Sequence, residues 1–279
     1  MVSRPFFGRR RCSLKARVAD TKWGRTLYSA RRNWELRLQS VVNPEKSGIL
    51  ANAIIADKLI AHLSPKGGTF FDVGAQHGAI FSMARSNDPS LNVFAFEAEK
   101  EKAEILKANF PYAEVFEVAV GESEGEATFY LNPEASGYNS LVPAEDRKAV
   151  TVRVAPIDDL VHGVKVDVMK IDIEGAELGA LRGADKTLAL YSPTIMFECV
   201  LAQENALGYS AAKLWEFFAD RDYEIFAPHR LAHDAPPLGK DAFCNAQHYP
   251  FVSHNYFAVS TARRIEVRDK ARRILGVGS

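Results

Sequence analysis

The sequence predicts an α/β protein built on a doubly wound, mostly parallel sheet with an N-terminal helical extension. Three observations carry that expectation. Short apolar strands alternate with helix-forming segments over residues 69–120, a glycine turn joins the first strand to the first helix of that series, and the alternation resumes from residue 164. Successive parallel strands need crossover connections, and crossover helices cover both faces of the sheet.

The elements follow in chain order. Residues 48–63 space Ile49, Ile54, Ile55, Leu59, Ile60 and Leu63 near the helical repeat, and a Ser-Pro-Lys-Gly-Gly run at 64–68 ends that helix. Residues 69–73 read as a strand, 79–85 as a helix, 92–96 as a second strand, 99–110 as a charged helix closed by Pro111, and 115–120 as a third strand. Residues 127–131 and 150–154 are β-like runs around a loop rich in Gly, Ser, Pro and Asn, so 132–149 is a candidate substrate loop. A buried strand at 164–171, a helix at 176–189, a strand at 194–200, a helix at 211–221 and strands at 223–226 and 256–259 complete the series. Residues 227–255 hold four of the seven histidines, His229, His233, His248 and His254, and read as a lid or second substrate loop because they are too many for a neutral connector. The chain thus divides into a basic arm, helical in expectation, at 1–47, one domain at 48–260 and a basic tail at 261–279.

Composition excludes several classes. With 47% hydrophobic and 25% charged residues in 279, the chain is globular rather than disordered. Three cysteines, Cys12, Cys199 and Cys244, are odd in number and far apart, which excludes a disulfide framework or zinc knuckle and fits a cytoplasmic, reducing compartment. There is no run of about 18 predominantly apolar residues, so integral membrane association is not expected. The first thirty residues lack the apolar centre of a secretory signal, and their weak amphipathicity disfavours a mitochondrial transit peptide. Lys and Arg balance Asp and Glu at 35 each, yet residues 1–40 carry eleven bases against two acids and 261–279 six against two. Basic ends on an acidic body keep a second class open, a polyanion-binding protein on an enzyme scaffold that takes nucleic acid or a phosphorylated carrier. Without an RNA-binding motif, nucleic acid is not the expected partner, and a solvated or subunit-packing arm, with a homodimer through it, is the plainer reading.

Three motifs carry the chemistry. In TFFDVGAQHGAIF (69–81) a strand runs into Asp72, and Gly74 and Gly78 let the backbone turn sharply beside a ligand. A dinucleotide GxGxxG would need glycines where Gln76 and Ala79 stand, which disfavours a nicotinamide oxidoreductase, and an acid two residues before the turn suits a cationic amine better than a pyrophosphate. S-adenosylmethionine has such an amine. In VFAFEAE (93–99) Glu97 ends the next strand, nineteen positions after Gly78, where an acid can accept both ribose hydroxyls. In VDVMKIDIEGAELGALRGA (166–184) Asp172 and Glu174 share a face of an extended strand at its C-terminal edge, while Glu177 starts the helix; Lys170, in apolar surroundings, is expected to pair with one of these acids.

These segments, with AVGESEGEATFY (119–130), SGYNSL (136–141), VTVRVAPIDDL (150–160) and IMFE (195–198), resemble the FkbM-type methyltransferases over about residues 69–200 and more loosely to 260. The resemblance implies a class I, Rossmann-like methyltransferase fold with an antiparallel last strand. It also implies S-adenosylmethionine as cofactor and O-methylation of a hydroxyl on a small molecule, sugar, glycolipid or polyketide. By that similarity Asp72, Gly74, Ala75, Gly78, Glu97 and Ala98 bind the cofactor, Ala119 lies near its adenine and Asp172 near its methionine part. The chain departs from the family's Thr-Leu-Asp step with Pro156, Ile157 and Asp158, and Val120 and Gly121 replace a more polar pair. Candidates to take the acceptor's proton are Glu174, the first choice, Glu198, His77 and a histidine of 227–255. The clustered acids could recruit a divalent cation, but their spacing fixes no coordination set and no metal ligands are assigned.

Overall fold

The computed structural model describes residues 34–132, 139–143, 145, 147–201, 203–249 and 251–277. A helical stretch over 34–42 leads into α1 (Pro44–Ile60), whose start is capped by the Asn43 carbonyl oxygen accepting the Lys46 N–H. The βα series follows as β1 (Thr69–Val73), α2 (Ala79–Asn87), β2 (Asn92–Glu97), α3 (Lys100–Asn109) and β3 (Ala113–Glu117). Next come β4 (Ala119–Val120), β5 (Gly125–Leu131), β6 (Lys148–Ala155) and α4 (Ile157–Leu160). The second half is β7 (Val168–Ile171), α5 (Glu177–Arg182), α6 (Asp185–Tyr191), β8 (Thr194–Glu198), α7 (Ala211–Ala219), β9 (Tyr223–Phe226), α8 (Lys240–Asn245), β10 (Asn255–Ser260) and α9 (Arg264–Leu275).

Seven strands form one sheet in the order β3-β2-β1-β7-β8-β10-β9, parallel except for β10, which runs against both of its neighbours. The order reverses between β1 and β7, the switch point where open α/β sheets bind ligands beyond their strand ends. Each face buries its own core. One is covered by α1, α2 and α9 around Leu59, Ile60, Phe70, Phe81 and Val267. The other is covered by α4 to α8 around Phe71, Leu181, Phe197, Leu214 and Phe243. A three-stranded sheet, β4-β6-β5, stands beside them.

Several elements differ from expectation. The third strand is divided: Val118 donates to the Glu97 carbonyl, and Ala119–Val120 leave to pair with β6. The expected helix at 176–189 is two helices, because Gly183 sits where the Gly121 carbonyl presses on its α-carbon, 2.0 Å from where a Cβ would stand. Asp158 caps α6 from outside, accepting the Lys186 and Thr187 N–H groups at 2.8 and 2.9 Å, which gives the altered Pro-Ile-Asp step a structural use. The strand expected from 164 begins only at Val168. Of 132–149, residues 133–138, 144 and 146 lie outside the described residues, as do 1–33 of the basic arm. Parts of 227–255 pack on the core: Leu231, Ala232 and Phe243 are buried, and Arg264 and Arg272 donate to the Leu231 and Ala232 carbonyls. The expected basic tail is, over Arg264–Leu275, a helix whose Val267 and Ala271 are core residues.

Candidate active site

At the C-terminal edge of β1, register places Asp72 directly opposite Lys170 of β7. The Lys170 ammonium lies 3.1 Å from Asp72 and 3.6 Å from Asp172 and donates to the Gly74 carbonyl at 3.0 Å, so one buried cation ties the glycine turn to the acid turn. Burial alone would lower the Lys170 pKa, but the two carboxylates outweigh it and hold the ammonium well above its ordinary value. Burial pushes the Asp72 carboxyl up against the opposing pull of that ammonium. Asp72 is therefore committed to Lys170 and stands behind the cleft wall instead of facing a ligand amine.

The glycine turn is held tightly. Gly74 has φ +79° and a Cβ there would meet the Asp172 carbonyl at 2.0 Å, while Gly78 has φ +75° and packs under the rings of Phe81 and Phe110. Both positions require glycine. Glu97 is buried and accepts the Gln76 and Glu99 N–H groups, one on each oxygen, at 2.8 and 2.9 Å; burial raises its pKa against those bonds. A carboxylate has four lone-pair directions, so each oxygen keeps one for a further donor.

A cleft opens between these turns. Gly74, Glu97, Ala98, Ala119, Asp172 and Glu174 line it. Ala75, Gly78, Asp72, His77 and Glu198 do not; Ala75 and Gly78 support the turn, and His77 is exposed at its outer side. His229 and His254 are likewise outside the lining: His229 is exposed, with Nδ1 2.8 Å from the Asn52 side-chain oxygen, and His254 is half-buried against the Phe251 ring. Residues that sequence reasoning did not single out complete the wall: Phe129 from β5, Leu141 and Asn139 from the loop after it, and Lys102. Asn139 donates to Glu99 at 2.7 Å and Lys102 pairs with the same carboxylate at 2.8 Å. The advance signal was that Phe129 belongs to AVGESEGEATFY and Asn139 and Leu141 to SGYNSL.

Asp172 and Glu174 meet by a different route from strand alternation. β7 ends at Ile171, and Glu174 adopts φ +57° in the turn that follows, with Gly175 at φ +98°. Three side chains pin this turn. Ser140 Oγ donates to the Glu174 carbonyl at 2.7 Å, Asn205 donates to the Gly175 carbonyl at 2.7 Å, and Glu177 accepts the Ile173 and Gly175 N–H groups at 3.1 and 3.2 Å. Glu177 is thus a structural clamp. The third member of the carboxylate cluster is Glu198, brought over from β8: one oxygen each of Asp172, Glu174 and Glu198 lie within 4.8 Å of one another, a spacing that a divalent cation or shared protons could bridge. Burial, then Asp172 and Glu177, raise Glu174 to about 7; burial, then Asp172, Glu174 and Glu177, raise Glu198 to about 10.

A parallel sheet in this order with one antiparallel strand, carrying a glycine turn, a buried acid at the end of β2 and an acid turn at its switch point, is the architecture of a class I methyltransferase. The family described as Methyltransferase FkbM domain matches residues 72–225, more than half of the sequence. The chain belongs to the FkbM methyltransferase family, and by family it is an S-adenosylmethionine-dependent methyltransferase. Among solved structures it is similar to methyltransferase FkbM from Methylobacillus flagellatus, at 15% identity and TM-score 0.43, over 76% of this chain and 53% of that one. The chain therefore spans about half the length of that protein. It is also similar to a precorrin-6y C5,15-methyltransferase from Geobacter metallireducens, at 15% identity and TM-score 0.39, over 62% and 73% of the two chains. A third is the plantazolicin methyltransferase BpumL, solved with a pentazolic desmethylPZN analog and SAH, at 9% identity and TM-score 0.39, over 88% and 95%. No curated protein sequence matches the chain.

Proposed function

We propose that the protein transfers a methyl group to a hydroxyl of a small molecule, sugar, glycolipid or polyketide, with Glu174 taking the hydroxyl's proton. The observation that carries this reading is the placement of Glu174, a carboxyl with a pKa of about 7 on the rim of the cleft that Gly74 and Glu97 also line. The cleft suits the cofactor: Glu97 retains lone pairs for the ribose, and Ala98, Ala119 and Phe129 offer apolar surface for adenine. S-adenosylmethionine, when bound, supplies a methyl already activated on sulfonium. The chain's residues then align the acceptor oxygen opposite the sulfur and exclude water. The new O–C bond forms as the C–S bond breaks, and the hydroxyl proton passes to Glu174. Asp172, held by Lys170, faces the methionine part. Charge in the carboxylate cluster is balanced by Lys170 and by a proton held on Glu198, so excess chelator is expected to leave turnover unchanged; loss of turnover, restored by a divalent cation, would assign the cluster to a metal.

The experiment is calorimetric titration with S-adenosylmethionine and S-adenosylhomocysteine, then turnover against a panel of hydroxylated acceptors. Glu97→Ala should abolish cofactor binding. Glu174→Gln should lower turnover about 100-fold or more while cofactor affinity stays within a factor of about two; full turnover by that variant removes Glu174 from the role.

A further inference from the structure

Trp34, Leu38, Val41 and Val42 recur at helical spacing on the stretch over 34–42, and they are 66%, 45%, 81% and 71% exposed. At 100° per residue these four side chains occupy one arc about 100° wide, while Leu36 and Gln39, both partly buried, lie on the opposite side. Elsewhere among the described residues large apolar side chains are exposed singly or in pairs. The sequence leading into this helix is strongly basic, with ten Lys or Arg against one acid over residues 1–33.

We propose that this apolar stripe and its basic arm dock the protein on an anionic lipid surface, with the cofactor cleft opening toward the same side. An apolar arc preceded in sequence by a concentration of Lys and Arg offers both chemistries such a surface takes, apolar contact at the acyl boundary and positive charge for phosphate or carboxylate headgroups. A polynucleotide would satisfy the bases but leave Trp34, Leu38, Val41 and Val42 in water. A second copy of the chain would cover the stripe but bring two strongly basic arms together.

The fold places the stripe at the site end of the molecule. Asn52, midway along α1, donates to the Val252 carbonyl at 2.8 Å, and its own carbonyl oxygen lies 2.8 Å from His229 Nδ1. His229 follows the C-terminal end of β9, and Val252 precedes β10, which enters the sheet opposite Glu198. Asn52 is therefore level with the edge at which the cleft opens. Since α1 descends from there toward the start of β1, its first eight residues, about 12 Å of helix, stand beyond that edge, and the 34–42 stretch is joined to their outer end. Exposed Tyr249 and Val252 lie along the same edge.

The test is sedimentation of the full chain with vesicles of phosphatidylcholine alone or mixed with phosphatidylserine. Expected are binding at least about tenfold tighter to the anionic vesicles and a steep decline with added salt. Substituting Trp34→Ser, Leu38→Ser and Val41→Ser together should weaken binding about tenfold or more with Tm unchanged, since these side chains face solvent. A second variant, Arg9→Gln with Arg10→Gln and Arg11→Gln, should weaken binding to anionic vesicles by a similar factor without altering the stripe. Equal sedimentation with neutral and anionic vesicles, or unaltered binding by both variants, overturns the proposal. So does a dimer, present without vesicles, that the serine variant dissolves, because the stripe then belongs to a second copy. Tighter binding to a single-stranded polynucleotide than to anionic vesicles gives the arm to nucleic acid and overturns it as well.

Discussion

Glu177 holds the acid turn from inside the protein, and its two backbone bonds make its side chain more useful as an acceptor than as a charge. Burial raises its carboxyl from 4.5 to about 7, with its backbone N–H partners opposing. Glu177→Gln keeps an acceptor oxygen and removes the buried charge, so stability near neutral pH should be unchanged or higher. Glu177→Ala leaves two N–H groups in a buried turn without their acceptor and should cost about 1–3 kcal/mol, read from urea midpoints. The sign of the pH dependence follows from the same carboxyls. Glu174, Glu177 and Glu198 all have folded-state pKa values above their ordinary 4.5, so the folded state retains protons that the unfolded chain releases. The stabilisation is complete below about pH 4.5 and fades as pH rises through about 7 for Glu174 and Glu177, and on toward 10 for Glu198. Turnover should move oppositely, rising through about pH 7 as Glu174 loses its proton. Glu177→Gln should flatten the stability profile and shift the rise in turnover to lower pH, because the Glu177 charge helps to raise Glu174, whereas Glu174→Gln should remove the rise in turnover. A profile for Glu174→Gln that still rises through pH 7 would assign the titration elsewhere.

Glycine spacing and strand ends made β1, its turn and Glu97 legible, because a close backbone approach restricts the residue that can stand there. The acids were legible as candidates, Glu198 among them, but their mutual arrangement was not. Sequence proximity joins Asp172, Glu174 and Glu177, while the parallel register of β7 against β8 brings Glu198 in and leaves Glu177 to clamp the turn. Ser140 and Asn205 were invisible for the same reason, since they reach the turn from 34 and 30 residues away. Gly183 shows the same limit in a helix. A continuous apolar repeat over 176–189 gave no hint that the Gly121 carbonyl would occupy the space of a side chain. Gly183→Ala is therefore expected to cost about 1–3 kcal/mol through forced separation of α5 from the β4–β5 connection. Gly125→Ala, where a Cβ meets nothing within 4 Å, should stay within about 0.5 kcal/mol of the parent. Equal midpoints for both variants would show that the close approach relaxes freely.

The fold class follows from alternation alone, yet the chain's ends do not, because a basic, hydrophilic segment looks the same whether it is solvated or laid on a core by a few apolar positions. Helix α9 is the instructive case. Its sequence is dominated by Arg, Lys, Asp and Glu, but Val267 and Ala271, one turn apart, are buried against the face that α1 and α2 also cover. Its charges serve as anchors: Lys270 donates to the Leu63 and Ser64 carbonyls at 2.7 and 2.8 Å, Arg272 to that of Ala232, and Arg264 to that of Leu231 with its guanidinium 4.1 Å from the centre of the Phe226 ring. This one helix thereby fastens the end of α1, the loop after β9 and the sheet face between them. Ending the chain after Ala262 should remove several of these bonds and uncover Phe70 and Phe226. The expected loss is several kcal/mol, on the order of 2 kcal/mol from apolar burial at Val267 and Ala271 and the remainder from carbonyls left in a half-buried groove. The urea midpoint should fall steeply, because the loop after β9 is also tied to Asn52 of α1. A truncated chain with the parent midpoint would show that α1 and α2 close that face without α9, and the anchoring role of its lysine and arginines would fall with it.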